Sequence, residues 1–111
     1  MSYSIIPTRR FERELKRLAK KYPSLKNEFA ELIVKIMQNP VTGTSIGNNC
    51  YKIRLAIGSK RKGKRSGARV ITYLYIETEI VYLLTIYDKS EKTDVKLNEL
   101  KELIDNLNLN V

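Results

Sequence analysis

A chain of 111 residues, 42% of them hydrophobic and 30% charged, has room for a modest core but not for a second domain, so residues 1–111 read as a single domain. The lone cysteine, Cys50, excludes an internal disulfide, and the absence of histidine excludes a conventional zinc centre or a Ser/His/Asp triad. The net charge of +9 is local: between Leu32 and Ile76 there are nine lysines and arginines and no acid, while the rest of the chain balances at twelve of each sign.

Residues 3–6 form a short extended run ended by Pro7, and Thr8 is placed to cap a helix on which Phe11, Leu15, Leu18, Ala19 and Tyr22 recur at helical spacing. Pro23 stops that helix and Ser24 caps the next, whose stripe is Leu25, Phe29, Leu32, Ile33, Ile36 and Met37. So short a connection predicts an antiparallel helical hairpin. Residues 39–49, with Pro40, Gly43 and Gly47, read as a loop. From 50 to 57 the residues alternate, Tyr51, Ile53, Leu55 and Ile57 on one face and Lys52, Arg54 and Ala56 on the other. Residues 58–67 form a basic loop, after which 69–76 and 80–87 are strand-prone runs joined at Glu77, Thr78 and Glu79 as a hairpin. Thr93 is a third N-cap candidate, followed by Asp94 and by the stripe Leu97, Leu100, Leu103, Ile104 and Leu107 of a closing helix. The expected order is β, α, α, β, β, β, α: an α+β fold with a small antiparallel sheet and the helical hairpin on one face.

No apolar run approaches the roughly 20 residues of a membrane span, and the polar start MSYSIIPTRR lacks the apolar stretch of a secretory signal. A soluble cytoplasmic chain with no membrane partner is expected. A hairpin centred on Thr78 sets Arg69 opposite Tyr87, Ile71 opposite Thr85 and Tyr73 opposite Leu83. The other face, with Val70, Thr72, Leu74 and Ile76 against Ile86, Leu84, Tyr82 and Ile80, is the more apolar and should take the helical hairpin. Arg54 enters the basic loop and Arg69 leaves it, so Arg54, Arg69, Tyr87 and Lys89 converge at the loop end of the more polar face.

A cationic patch on an otherwise balanced chain implies a polyanion, and phosphate backbones are the commonest. Cleaving RNA without a metal requires a base for the 2′-hydroxyl, cations for the phosphate and an acid for the leaving 5′-oxygen. Without histidine, lysine, tyrosine or arginine must fill these roles, and unperturbed lysine and tyrosine titrate at about 10.4 and about 10. A site built from them needs help in orienting its substrate. Plainer readings exist for each residue. The loop cations Lys60, Arg61, Lys62, Lys64 and Arg65 could form a solvated tip, although so dense a run without acids repels itself unless a partner binds. Alternation alone explains exposure of Lys52 and Arg54. Arg69 with Tyr87 could be an ordinary cross-strand pair worth about 0.5 kcal/mol. Cys50 reads as a small buried hydrophobe.

The stretch CYKIRLAIGSKRKGKRSGARVITYLY followed by VYLLTIYDKSEKTDV resembles the RelE/ParE superfamily of bacterial toxins from toxin-antitoxin modules, most closely its HigB-like RelE branch. The resemblance implies a small antiparallel sheet with two helices on one face, no cofactor or metal, cleavage of messenger RNA in the ribosomal A site, and inhibition by a cognate antitoxin protein. By position, Lys52 and Arg54 match the family's paired basic residues, of which the second is implicated as the base; a guanidinium hardly ever deprotonates, so Lys52 or a loop lysine must replace it. Arg69 matches the arginine that stabilises phosphate charge. Ser90 and Lys96 stand where RelE proteins have an arginine acid and a tyrosine, and Lys89, Lys92 and Tyr87 are the nearby replacements. The resemblance therefore assigns chemistry to Lys52, Arg54, Arg69, Tyr87 and Lys89, and RNA binding to Lys60, Arg61, Lys62, Lys64, Arg65 and Lys92. Two other readings compete: a gyrase inhibitor of the ParE branch, which needs no phosphate-cleaving cluster, and a non-catalytic RNA-binding module built on the loop and Tyr51, Tyr73 and Tyr75.

Overall fold

Thr8 organises the start of the chain in the computed structural model, which describes residues 3–60 and 67–107. Its hydroxyl accepts from the Phe11 N–H at 3.1 Å and so caps α1 (Arg9–Lys21), while β1 (Ser4–Pro7) before it lies parallel to β5 (Ile80–Asp88). Pro7 is tolerated because β1 is an edge strand. After the break at Pro23, α2 (Leu25–Gln38) returns along α1, with the Phe11 and Phe29 rings 5.6 Å apart. Ser24 does not cap α2; its hydroxyl donates to Glu28 and accepts from the Ser59 N–H. Strands β2 (Thr44–Gly47), β3 (Cys50–Leu55) and β4 (Ala68–Tyr75) follow, and α3 (Leu97–Asp105) closes the described chain. The sheet order is β1-β5-β4-β3-β2, antiparallel except for β1. The α+β expectation holds, with a mixed rather than purely antiparallel sheet.

Strand β2 lies inside the stretch expected to be loop. Asn48 and Asn49 sit at φ 55° and 60°, and Gly47 pairs with Cys50 across them, a two-residue turn of the kind that matches strand twist. The closing helix begins at Leu97, not after Thr93, and Lys96 at its N-cap makes no side-chain cap. Gly67, where the basic loop re-enters the sheet, is required by space: a Cβ there would collide with the Leu55 carbonyl oxygen.

The β4–β5 hairpin departs from the expected register near its turn. The connection is four residues long, a 3-10 turn over Ile76–Thr78 plus Glu79 at φ 56°, so Tyr73 pairs with Tyr82 instead of Leu83. A bulge then restores the expected pairs Ile71–Thr85 and Arg69–Tyr87. Leu84 is the extra residue, and its insertion inverts the faces of β5 on the turn side. Val81, Leu83 and Ile86 join Val70 and Leu74 beneath the helical hairpin, whereas Leu84 and Tyr82, expected there, lie on the opposite face with α3. Helix α1 serves the backbone around the bulge. Thr8 Oγ1 donates to the Leu84 carbonyl at 3.2 Å, and Glu14 Oε1 accepts from the Thr85 hydroxyl at 2.7 Å and the Ile86 N–H at 3.3 Å. Thr8→Ala therefore removes a helix cap and a bulge contact together and is expected to lower the unfolding free energy by about 1–2 kcal/mol in urea titration, with Thr8→Ser restoring most of it.

The second face carries its own core. Cys50, Ile71, Leu84 and Tyr87 pack against Leu100 and Leu103 of α3. Leu97, expected in the buried stripe, is exposed. Among the described residues no helix is long and apolar enough to cross a membrane.

Candidate active site

Strand pairing places Arg54 beside Arg69 and Arg69 beside Tyr87, so the three form a row across β3, β4 and β5 on the face covered by α3. Lys52 lies two residues before Arg54 on the same face of β3, opposite Ile71. Sequence alternation predicted this row, and the structure brings its members together. What alternation did not predict is its cover. The segment after β5 and the helix α3 pack at the Tyr87 end of the row, where Arg69 is only 6% and Tyr87 only 5% exposed, while Arg54 at the other end is exposed.

Each cation has a different setting. Arg54 is exposed, makes no ion pair among the described residues, and lines a cavity of about 900 Å³ with Lys52, Glu31 and Lys35. Arg69 Nη1 donates to the Ala68 carbonyl at 3.1 Å, and no carboxylate pairs with it among the described residues. Lys52 Nζ donates to Asp94 Oδ1 at 3.4 Å. Lys89 Nζ donates to the Thr93 carbonyl at 2.6 Å, which ties it into the covering segment. Lys92 pairs with Glu99 and stands 5.7 Å from the centre of the Tyr87 ring.

The Tyr87 hydroxyl is buried and finds no hydrogen-bond partner among the described residues. Burial, then the Asp94 charge, pushes its pKa up; Arg69 opposes and Glu99 adds to the rise. Tyr87→Phe removes this unsatisfied group and is expected to raise the unfolding free energy by about 1 kcal/mol in urea titration. If the phenol also serves the chemistry, the same variant loses activity while gaining stability. Burial likewise pushes the Cys50 thiol up to about 12, which suits a core residue and not a nucleophile.

Of the loop cations expected to grip RNA, Arg61, Lys62, Lys64 and Arg65 lie outside the described residues. Lys60 is described and belongs to the interior. Its Nζ donates to Asp88 Oδ1 at 2.5 Å and lies 5.2 Å from the Tyr22 ring centre. Asp88 is fully buried and also accepts from the Tyr22 hydroxyl at 2.8 Å, the Ser90 hydroxyl at 2.7 Å and the Ser90 N–H at 2.9 Å. Burial opposes its ionisation, but these hydrogen bonds outweigh burial and hold the carboxyl far below the usual carboxylate range. This knot clamps both ends of the basic loop. Gly58 and Ser59 bond to Glu28 and Ser24 at the start of α2, and the Lys89 N–H donates to the Gly67 carbonyl on the other side.

Sequence reasoning missed the acids: Asp88, Asp94 and Glu99 each pair with a cation that it had singled out. The available signal was the acid-rich end of the chain, eight acids against four cations from residue 77 onward. At the two positions that depart from the RelE pattern, Ser90 supports Asp88, and Lys96 is exposed at the start of α3.

No family model matches the chain. Its fold is similar to solved structures of the E. coli toxin RelE. A double arginine-to-alanine mutant in the free state gives a TM-score of 0.64 at 18% identity over 96% of this chain and 99% of that one. The isolated toxin gives 0.59 at 16% identity over 95% and 98%. A chain of the intact E. coli RelBE toxin-antitoxin complex gives 0.57 at 20% identity over 76% and 93%. With three helices and a five-stranded mixed sheet among its described residues, this chain has the fold of RelE.

Proposed function

We propose that this chain is the toxin of a bacterial toxin-antitoxin pair, acting over residues 1–111 as a single HigB-like RelE domain in the cytoplasm, and that it cuts messenger RNA bound in the ribosomal A site. The observation that carries this reading is the row Arg54, Arg69 and Tyr87, joined by Lys52, on a RelE fold. Two arginines paired across neighbouring strands suit a phosphate whose negative charge grows in the transition state. Lys52 and Lys89 supply ammonium groups near that phosphate, and the charge of Lys92 and of Arg61, Lys62, Lys64 and Arg65 favours binding of RNA. A site without histidine is a weak acid–base catalyst, so a ribosome that orients the 2′-hydroxyl for attack would complete it.

The structures of RelE with its antitoxin make a cognate antitoxin the expected partner. Purified protein added to programmed ribosomes should cut the message and leave the same RNA largely intact when free. Inhibition of gyrase supercoiling without any cut would favour the ParE reading. RNA binding that Arg54→Ala weakens, without turnover, would favour the binding module.

A further inference from the structure

The row contains no obvious proton acceptor. The guanidiniums of Arg54 and Arg69 are donors with no acceptor atom, and the Tyr87 hydroxyl is buried. The carboxylates nearby are therefore the groups to weigh. Asp88 is fully buried and both its oxygens are taken, Oδ1 by Lys60 and Ser90 and Oδ2 by Tyr22. Glu99 accepts from Lys92 and Arg10 through Oε2. Glu91 is turned toward α1, paired with Arg17 and Lys21. Asp94 differs from all three. Its Oδ1 accepts from Lys52 at 3.4 Å and from the Val95 N–H at 2.8 Å, its Oδ2 accepts nothing among the described residues, and its side chain is 63% exposed. It is the most exposed of these four acids and the one bonded to Lys52. Glu99 keeps Oε1 without a partner among the described residues but is paired with Lys92 and only 26% exposed, and Glu31, which shares the Arg54 cavity, pairs with no cation among the described residues.

We infer that Asp94 is the general base of the cleavage reaction, taking the proton of the 2′-hydroxyl through its open carboxylate oxygen. This deepens the endonuclease reading and rests on it. As the 2′-oxygen forms its bond to phosphorus, its proton passes to Asp94; the bond from phosphorus to the 5′-oxygen breaks, and that oxygen takes a proton from the ammonium of Lys89. The products are a 2′,3′-cyclic phosphate and a 5′-hydroxyl end, with no oxidant, reductant or metal consumed. Lys52 holds the carboxylate in place and adds positive charge beside the phosphate. A carboxylate base also removes the difficulty of an arginine standing at the family's base position.

The test compares wild type, Asp94→Asn and Asp94→Glu on programmed ribosomes carrying either ordinary message or message with sulfur replacing the 5′-bridging oxygen at the cut site. A thiolate leaves without being protonated, so loss of an acid is rescued by sulfur whereas loss of a base is not. Asp94→Asn should cut at least about 100-fold more slowly on both messages with ribosome affinity unchanged, and Asp94→Glu should recover part of the rate. Lys89→Met should be slow on ordinary message and restored by sulfur. An Asp94→Asn rate within threefold of wild type, or its rescue by sulfur, overturns the assignment and leaves the endonuclease reading standing. Intact message with wild-type protein overturns both.

Discussion

Replacing Arg69 by methionine should slow message cleavage by about 10²–10³-fold while leaving the unfolding midpoint unchanged or raised. The two effects separate because of where Arg69 sits. It is 6% exposed, and its guanidinium's one hydrogen bond among the described residues goes to the neutral Ala68 carbonyl. Holding a cation in such a place costs several kcal/mol unless a partner compensates, and methionine fills similar volume without that cost. A residue kept at the expense of stability is expected where function needs it, and a phosphate is the partner that would repay its burial. Thermal unfolding and single-turnover cleavage on the same preparations decide the point. Equal losses of stability and activity would make Arg69 a structural residue, and unchanged activity would remove it from the site.

Asp88→Ala should lower the unfolding free energy by about 3–5 kcal/mol, a large part of the roughly 5–15 kcal/mol that holds a domain of this size together. The substitution removes the acceptor shared by Lys60, Ser90 and Tyr22, and it loosens the clamp at the base of the basic loop. The dependence on pH follows from the direction of the Asp88 shift. Its carboxyl is held below its unfolded value of about 3.9, so its contribution is fully present above that pH and is lost as the pH falls toward the folded value. Wild type should therefore lose stability through the acid range more steeply than Asp88→Asn does. Urea titrations at neutral and acid pH measure both effects, and parallel curves would remove Asp88 from the list of main supports.

The row of Arg54, Arg69 and Tyr87 was legible in the sequence because period-2 alternation is a local property, and because two departures cancel. The turn is one residue longer than expected, and the bulge at Leu84 takes up that residue before Thr85 is reached. Between the two, the expected Tyr73–Leu83 pair is lost and Leu84 changes face. A bulge depends on contacts from another element, here Thr8 and Glu14, which no pattern within the strand encodes. The cover over the row was not legible for a similar reason. The stripe of Leu100 and Leu103 shows that the last helix has an apolar face, not which side of the sheet receives it. The partners of Asp88 and Asp94 were hidden too, since a carboxylate's partner is chosen by tertiary contact. Lys60 shows this most clearly: its neighbours in sequence made it a loop cation, and Asp88 makes it an interior one.

The most direct measurement is to map the ends of a defined message after purified protein meets programmed ribosomes, with wild type beside Arg54→Ala and Arg69→Met. A cut within the A-site codon, leaving a 5′-hydroxyl end and fading in both variants, is the result expected of this site. Intact message at saturating wild-type protein, or a cut that neither variant alters, would contradict it.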